Sequence, residues 1–338
     1  MIASQTTECS CKHIVSVSLG SSERNAKSTL QLKGQTFIIE RLGTDGNLQK
    51  ARQLLEELDG RVDALGLGGT DLYVYAGGRR YTFLESAKLI ENVKNTPVLD
   101  GSGLKNSLER ILINRLAADK IIDFQGKKVL MVCGVDRFGM AEALVANGAD
   151  VTFGDLIFGL NWDHPIKSLQ TLDSFAKLLA PLLTKLPVRW FYPMGAKQSQ
   201  RKPQHQGYFL ENDIIAGDFH FIRRFMPDKL AGKTIITNTV TAGDRKLLRN
   251  AGVRCLITTT PSLDGRSYGT NVMEGLLVAA SGADKQLDAA VYEKLLEEYK
   301  IESGLEYLNG EEEHIYWKSL HLSYIRCRFM IWLTYRLF

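Results

Sequence analysis

Residues 127–155 read KKVLMVCGVDRFGMAEALVANGADVTFGD, and the fold class follows from them. Val129-Leu130-Met131-Val132-Cys133-Gly134 is a short, uninterrupted apolar run ended by glycine, the pattern of a strand buried on both faces. Gly134-Val135-Asp136-Arg137-Phe138-Gly139 then opens a helix that Asn147-Gly148 stops. Val151 to Phe153 starts a second strand, which Asp155 closes. Strand, glycine turn, helix and strand in this order make the nucleotide-binding unit of α/β proteins.

The turn follows the dinucleotide pattern G-x-G-x-x-G in register, with one departure. Gly134 fills the first role, the tight turn, and Gly139 the third, close packing of the helix. Asp136 stands at the second glycine, where it adds bulk and negative charge against a diphosphate. It would also compete for the helix N-terminus that favours anions. Asp136 is a good helix cap in its own right, so a turn occupied by its own acid is the alternative to a bound cofactor. Arg137 would compensate by pairing with phosphate. Asp155, about 20 residues beyond Gly134, is placed to take ribose hydroxyls and so selects NAD over NADP. The candidate cofactor residues here are Gly134, Asp136, Arg137, Phe138, Gly139 and Asp155.

Upstream, His13 to Leu19 alternates like a strand, and Thr29 to Leu32 with Thr36 to Glu40 flank Lys33-Gly34-Gln35 as a hairpin. Asn47 to Leu58 and Leu84 to Val93 have helical spacing, with strands at Val62 to Leu67 and Thr96 to Leu99. Leu104 to Lys120 is a linking helix. Downstream, Ile214 to Ala216, Thr234 to Val240 and Cys255 to Thr259 continue the alternation. The chain has 338 residues, 44% hydrophobic and 24% charged, which suits more than one core and needs no disulfide or metal to fold. The expected architecture is α/β with two lobes. An N-terminal α/β domain on the substrate side with its linking helix spans 1–124, and a doubly wound Rossmann-type domain spans 125–285. A C-terminal helix and a basic aromatic tail span 286–338, and an interlobe cleft separates the two domains.

Thr96-Pro97-Val98-Leu99-Asp100-Gly101-Ser102-Gly103 joins a buried strand to the linking helix at the lobe junction. In order and spacing from Leu99 to Asp155 the chain resembles the quinate and shikimate 5-dehydrogenase family, whose matching segment is N-T-D-G-x-G followed by a helix, a linker and the Rossmann strand. Leu256-Ile257-Thr258-Thr259-Thr260-Pro261 is similar to the family's strand and Thr-Pro loop. The resemblance implies an NAD-linked oxidoreductase of the shikimate pathway type, exchanging hydride with a ring hydroxyl of a small carboxylated polyol. It makes Asp100 the aspartate of a catalytic Lys–Asp dyad and sets Thr258 and Thr259 near the nicotinamide. The family's N-x-T-x-P-x-K lysine segment is absent. Lys105, Lys88 and Lys94 are the lysines near Asp100, and Lys105, on the first turns after it, is the candidate.

Two further glycine turns, Leu65 to Asp71 and Ala76 to Tyr81, let backbone approach a ligand, with Asp71, Arg79 and Arg80 as polar contacts; their bland reading is tight turns at strand ends. Asp218 and His220 after the strand at Ala216 would point to one side if extended, as a general-base pair or anion clamp. Arg79, Arg80, Asp218 and His220 are the candidate substrate residues, and Arg266 is a further candidate for a phosphate or carboxylate. Two other functions stand beside the oxidoreductase: a non-catalytic ligand-binding or regulatory protein, and a non-redox enzyme acting on a sugar phosphate.

Net charge is +4, with 42 basic against 38 acidic residues, too little asymmetry for a nucleic-acid partner. The five cysteines form no disulfide framework. Cys9-Ser10-Cys11 with His13 lacks a second ligand pair, so no metal is expected. The polar first residues lack the apolar core of a secretory signal, which places the protein in the cytoplasm. Residues 314–338 are basic and aromatic. They are expected to dock on the protein or on a second copy, as in a homodimer, in preference to a membrane surface.

Overall fold

Two β-sheets organise the chain in the computed structural model, which describes residues 11–310 apart from 77, 191–199 and 264–265. The first sheet begins with β1 (Cys11–Ser18), β2 (Ala26–Leu32) and β3 (Gln35–Gly43). Lys33 and Gly34 link β2 to β3 with both residues at positive φ, which suits a two-residue hairpin between twisted strands. Then come α1 (Leu48–Leu58), capped by the Asn47 side chain, β4 (Ala64–Gly68), and the hairpin of β5 (Tyr73–Ala76) and β6 (Arg79–Thr82). α2 (Leu84–Leu89), β7 (Val98–Leu99) and α3 (Ser102–Ala118) follow. The strand order is β2-β3-β1-β4-β7, and β3, β1, β4 and β7 run parallel.

The second sheet takes β8 (Lys128–Met131), which leads through α4 (Phe138–Ala146) to β9 (Asp150–Phe153), and then α5 (Leu169–Leu183) and α6 (Gln206–Glu211). β10 (Ile214–Ala216), α7 (Phe219–Phe225), β11 (Thr234–Thr237), α8 (Ala242–Asn250) and β12 (Cys255–Thr258) complete its parallel part. A small ribbon of β13 (Ser262–Leu263) and β14 (Arg266–Ser267) precedes α9 (Thr270–Ser281), α10 (Ala289–Glu298) and the antiparallel edge strand β15 (Gly304–Tyr307). The order is β15-β12-β11-β10-β8-β9, a mixed α/β, Rossmann-like arrangement in which the chain reverses direction across the sheet beside β8.

Period-two alternation buries both faces of each sheet. In the first, Val15, Val17, Leu65 and Leu67 pack with Ala51 and Leu55 of α1, while Ile14, Phe37, Ile39, Ala64 and Leu99 turn the other way. In the second, Val129 and Met131 join one core and Leu130 and Val132 the other. Each such side chain, withdrawn from water, contributes roughly 1.5–3 kcal/mol before entropy is counted.

Two expectations change. The second cover of the first sheet is α9, which packs on β1, β4 and β7 and carries α10 with it. The boundary at residue 285 therefore divides a helix pair that belongs with the N-terminal sheet, and β15 returns to the second sheet. Gly217 to Arg224 is not extended: Asp218 caps α7, so Asp218 and His220 lie on a helix start rather than on one side of a strand. Residues 314–338 and Cys9 lie outside the described residues. Among the described residues no helix is long and apolar enough to cross a membrane.

Candidate functional site

The carboxyl ends of parallel strands from both sheets open onto one cavity of about 290 Å³. Residues at or just beyond the ends of β1, β4 and β7 (Ser18, Asp71, Asp100) face those beyond β8, β9, β10 and β11 (Cys133, Asp155, Asp218, Thr239). Ligands of open α/β sheets sit at this edge, because the loops there are free to vary while the strands stay fixed.

The glycine turn after β8 is closed from within. The Asp155 carboxylate accepts the amides of Gly134 and Val135, both at 2.9 Å, and so occupies the donors a diphosphate would need. Burial pushes Asp155 up to about 6 against the pull of those two amides. A Cβ placed on Gly134 would meet Leu172 and Phe153 at 2.8 Å, so α5 fills the space over the turn. Residues 169–183 thus lie over the turn. Gly139 has the packing role expected of the third glycine: its amide donates to the Asn106 side chain, and a Cβ would come within 2.5 Å of the Asn106 carbonyl.

Arg137 does not reach outward for a phosphate. It is 1% exposed and pairs with Glu109 of α3 and, at 3.2 Å, with Asp218. Burial works against the charge of Arg137, but Glu109 and Asp218 outweigh it and hold the guanidinium fully protonated. Burial likewise raises Glu109, to about 7, despite Arg137. This pair bolts α3 to the turn. Phe138 packs on the core beneath. As a fit for a dinucleotide the arrangement fails on two counts: its amides are already engaged and its roof is a leucine.

A lysine clamp bridges the sheets. Lys105, 6% exposed, donates to Asp71 at 2.8 Å and to Asp136 at 2.7 Å. Burial would lower Lys105, but Asp136 and Asp71 outweigh it, so it is a fixed cation and no base. Burial, followed by the repulsion of Asp136, lifts Asp71 to about 6. The lysine–aspartate pair therefore exists, but its aspartate is not Asp100. The Asp100 carboxylate accepts three backbone amides, those of Leu72, Tyr73 and Ser102, which ties the loop after β4 to the start of α3. Glu274 of α9 fastens the same segment by accepting the Gly101 amide at 2.7 Å.

At the other end three arginines meet. Arg24, Arg41 and Arg266 line the cavity with His220. Arg41 donates to the Ser21 carbonyl and Ser18 Oγ, and Arg266 to the Arg24 carbonyl. Among the described residues neither Arg41 nor Arg266 has a carboxylate within 4.0 Å, and Arg24 finds Asp244 only at 3.9 Å. Burial, with Arg266 and Arg24 adding to it, pushes Arg41 down to about 9, so that the cations disfavour one another while remaining charged at neutral pH. Burial and then Arg24 hold His220 down at about 4, a neutral imidazole. Arg41 follows Phe37 and Ile39 on the inward face of β3, a basic residue at a core register, and that was the signal in the sequence. Arg24 carries no such mark.

Other candidates lie elsewhere. Arg79 and Arg80 are exposed on the β5–β6 hairpin, with Arg80 over the Tyr73 ring at 4.3 Å, and do not line the cavity. Thr258 and Thr259 are enclosed beside β11 and also stand outside it. Lys88 belongs to α2, and Lys94 is bound up with the Glu91 carbonyl. Gly66 makes room for Asn271 and Ser16, while Gly68, Gly69, Thr70 and Asp71 of the same turn line the cavity. Among the described residues no group of three His, Cys, Asp or Glu is placed to hold a metal ion.

No curated protein matches the chain in sequence. Among solved structures it is similar to a sugar ABC transport substrate-binding protein from Bordetella parapertussis 12822, at 12% identity over 80% of this chain and 79% of that one, with a TM-score of 0.32. It is also similar to the NAD-dependent malic enzyme of Thermotoga maritima, at 12% identity over 85% and 84% of the two chains, TM-score 0.33. The malic enzyme of Entamoeba histolytica aligns at 11% identity over 83% and 61%, TM-score 0.37. Scores this low say nothing of function. Residues 13–100 match the model described as Domain of unknown function (DUF8753), and residues 103–308 match Domain of unknown function (DUF8754). With that second match covering the linking helix, the closed turn and all of the second sheet, the chain belongs to the DUF8754 family.

Proposed function

We propose that this protein binds a small organic anion between its two sheets, with no dinucleotide on the glycine turn. One observation carries the reading: three guanidinium groups converge on a cavity in which, among the described residues, Arg41 and Arg266 have no carboxylate within 4.0 Å. Guanidinium groups lose water on burial and recover the cost by pairing with carboxylate or phosphate. The resemblance to quinate and shikimate dehydrogenases supplies a substrate class, carboxylated ring polyols, whose carboxylate would sit among the arginines. A ring hydroxyl would then meet the Asp71–Lys105 pair. Asp71, held near 6 by burial, is populated in both protonation states close to neutral pH and is suited to exchange a proton. The hydride chemistry that the same resemblance implies finds no support in a turn already filled by Asp155 and Leu172.

Calorimetric titration with quinate, glucose 6-phosphate, inorganic phosphate and NAD tests this. At least one small anion should bind, and Arg41→Met should weaken it by about tenfold or more, the value of a hydrogen-bonded charge pair. The phosphate arms separate a sugar phosphate from a carboxylate as the true ligand. Binding of NAD that Arg41→Met leaves intact and Asp155→Ala abolishes would overturn the proposal.

A further inference from the structure

The cavity changes character along its length, and that gradient describes a ligand. Strand order sets the positions: beyond β11 and β10 stand Thr239 and His220, beyond β8 Cys133, and beyond β9 Asp155, while the facing sheet offers Arg41 on β3 and Asp71 past β4. Neighbouring strands are about 4.8 Å apart, so β11 to β9 is a span of roughly 14 Å. The arginines hold the first end. The second end holds its charged groups in internal pairs and adds a broad apolar wall, where Leu172, Phe175, Leu179 and Leu183 of α5 line the cavity with Val74 and Phe83. Ala176 and Ala180 of α5 pack with Val74 and Tyr81 of the hairpin, so this wall is built against the first sheet's loop.

A ring polyol reaching from the arginines to the Asp71–Lys105 pair would leave the α5 wall uncovered. Resting on the anion-binding reading, we infer that the ligand is an amphipathic carboxylate: an anionic head among Arg24, Arg41 and Arg266, and an aliphatic tail lying along α5. Leucine and alanine form most of that wall, which suits a flexible chain better than a stacked ring.

Titration of the full chain with acetate, decanoate and quinate, in wild type, Leu179→Gln and Arg41→Met, decides it. Decanoate should bind at least about tenfold more tightly than acetate or quinate, since each buried methylene adds a factor of roughly four. Leu179→Gln should cost decanoate about fivefold or more and leave acetate unchanged, while Arg41→Met should weaken both. Acetate and quinate binding as well as decanoate, still dependent on Arg41, would overturn the tail and leave the anion site standing. Decanoate binding indifferent to Arg41→Met would overturn the head-to-tail orientation. If no anion binds, both proposals fall together.

Discussion

The glycine turn and the arginine corner border one cavity and treat charge in opposite ways. At the turn every charged group has a partner: Asp155 has two amides, Arg137 has Glu109 and Asp218, and Lys105 has Asp71 and Asp136. At the corner three cations press on one another. The first is a fold's solution to burying charge, and the second is where the proposed anion would find its partners.

The contrast can be broken most forcefully at Arg137. Arg137→Met strands Glu109 in the core without its partner, and should lower the unfolding free energy by about 3–5 kcal/mol in urea titration. A loss below about 1 kcal/mol would mean that the pair is no bolt. Gly139→Ala presses a methyl on the Asn106 carbonyl and should cost about 1–3 kcal/mol by the same measurement. The two regions also differ in the sign of their pH response. Asp155, raised from 3.8 to about 6, binds its proton more tightly when folded, so its contribution to stability is lost as pH rises from about 4 to 6. His220, lowered from 6.5 to about 4, resists protonation when folded, so stability is lost as pH falls from about 6.5 towards 4. Stability profiles of Asp155→Asn and His220→Gln should accordingly deviate from wild type with opposite slopes, and parallel slopes would refute the assignment. The smallest stability effect belongs to the corner: Arg41→Met should change unfolding by less than about 1 kcal/mol, because removing one crowded cation relieves the other two.

The strands and helices were largely legible because their periodicity is strong. α1 runs over Leu48–Leu58, inside the stretch of helical spacing from Asn47 to Leu58, and β10 over Ile214–Ala216. What periodicity cannot convey is which element covers which. Nothing in α5 says that Leu172 roofs Gly134, and nothing in α9 says that it crosses to the other sheet. The candidate site suffered most, since Arg24, Arg41 and Arg266 are brought together by topology from distant parts of the chain. Lys105 was marked by its nearness to Asp100, yet its partners are Asp71 and Asp136, one from a loop before it and one from the turn after it. Arg79 and Arg80 misled for the converse reason: an arginine pair beside glycines marks an exposed hairpin as readily as a binding loop.

The return of α9 to the first sheet bears on how the protein is made. A growing chain delivers β1 to β7 early, but the face bearing Ile14, Phe37, Ile39 and Leu99 waits for residues beyond 270 before it is covered. Until then the nascent protein carries a half-clad sheet through the synthesis of the entire second one, a situation in which domains that normally mature one after another must finish together.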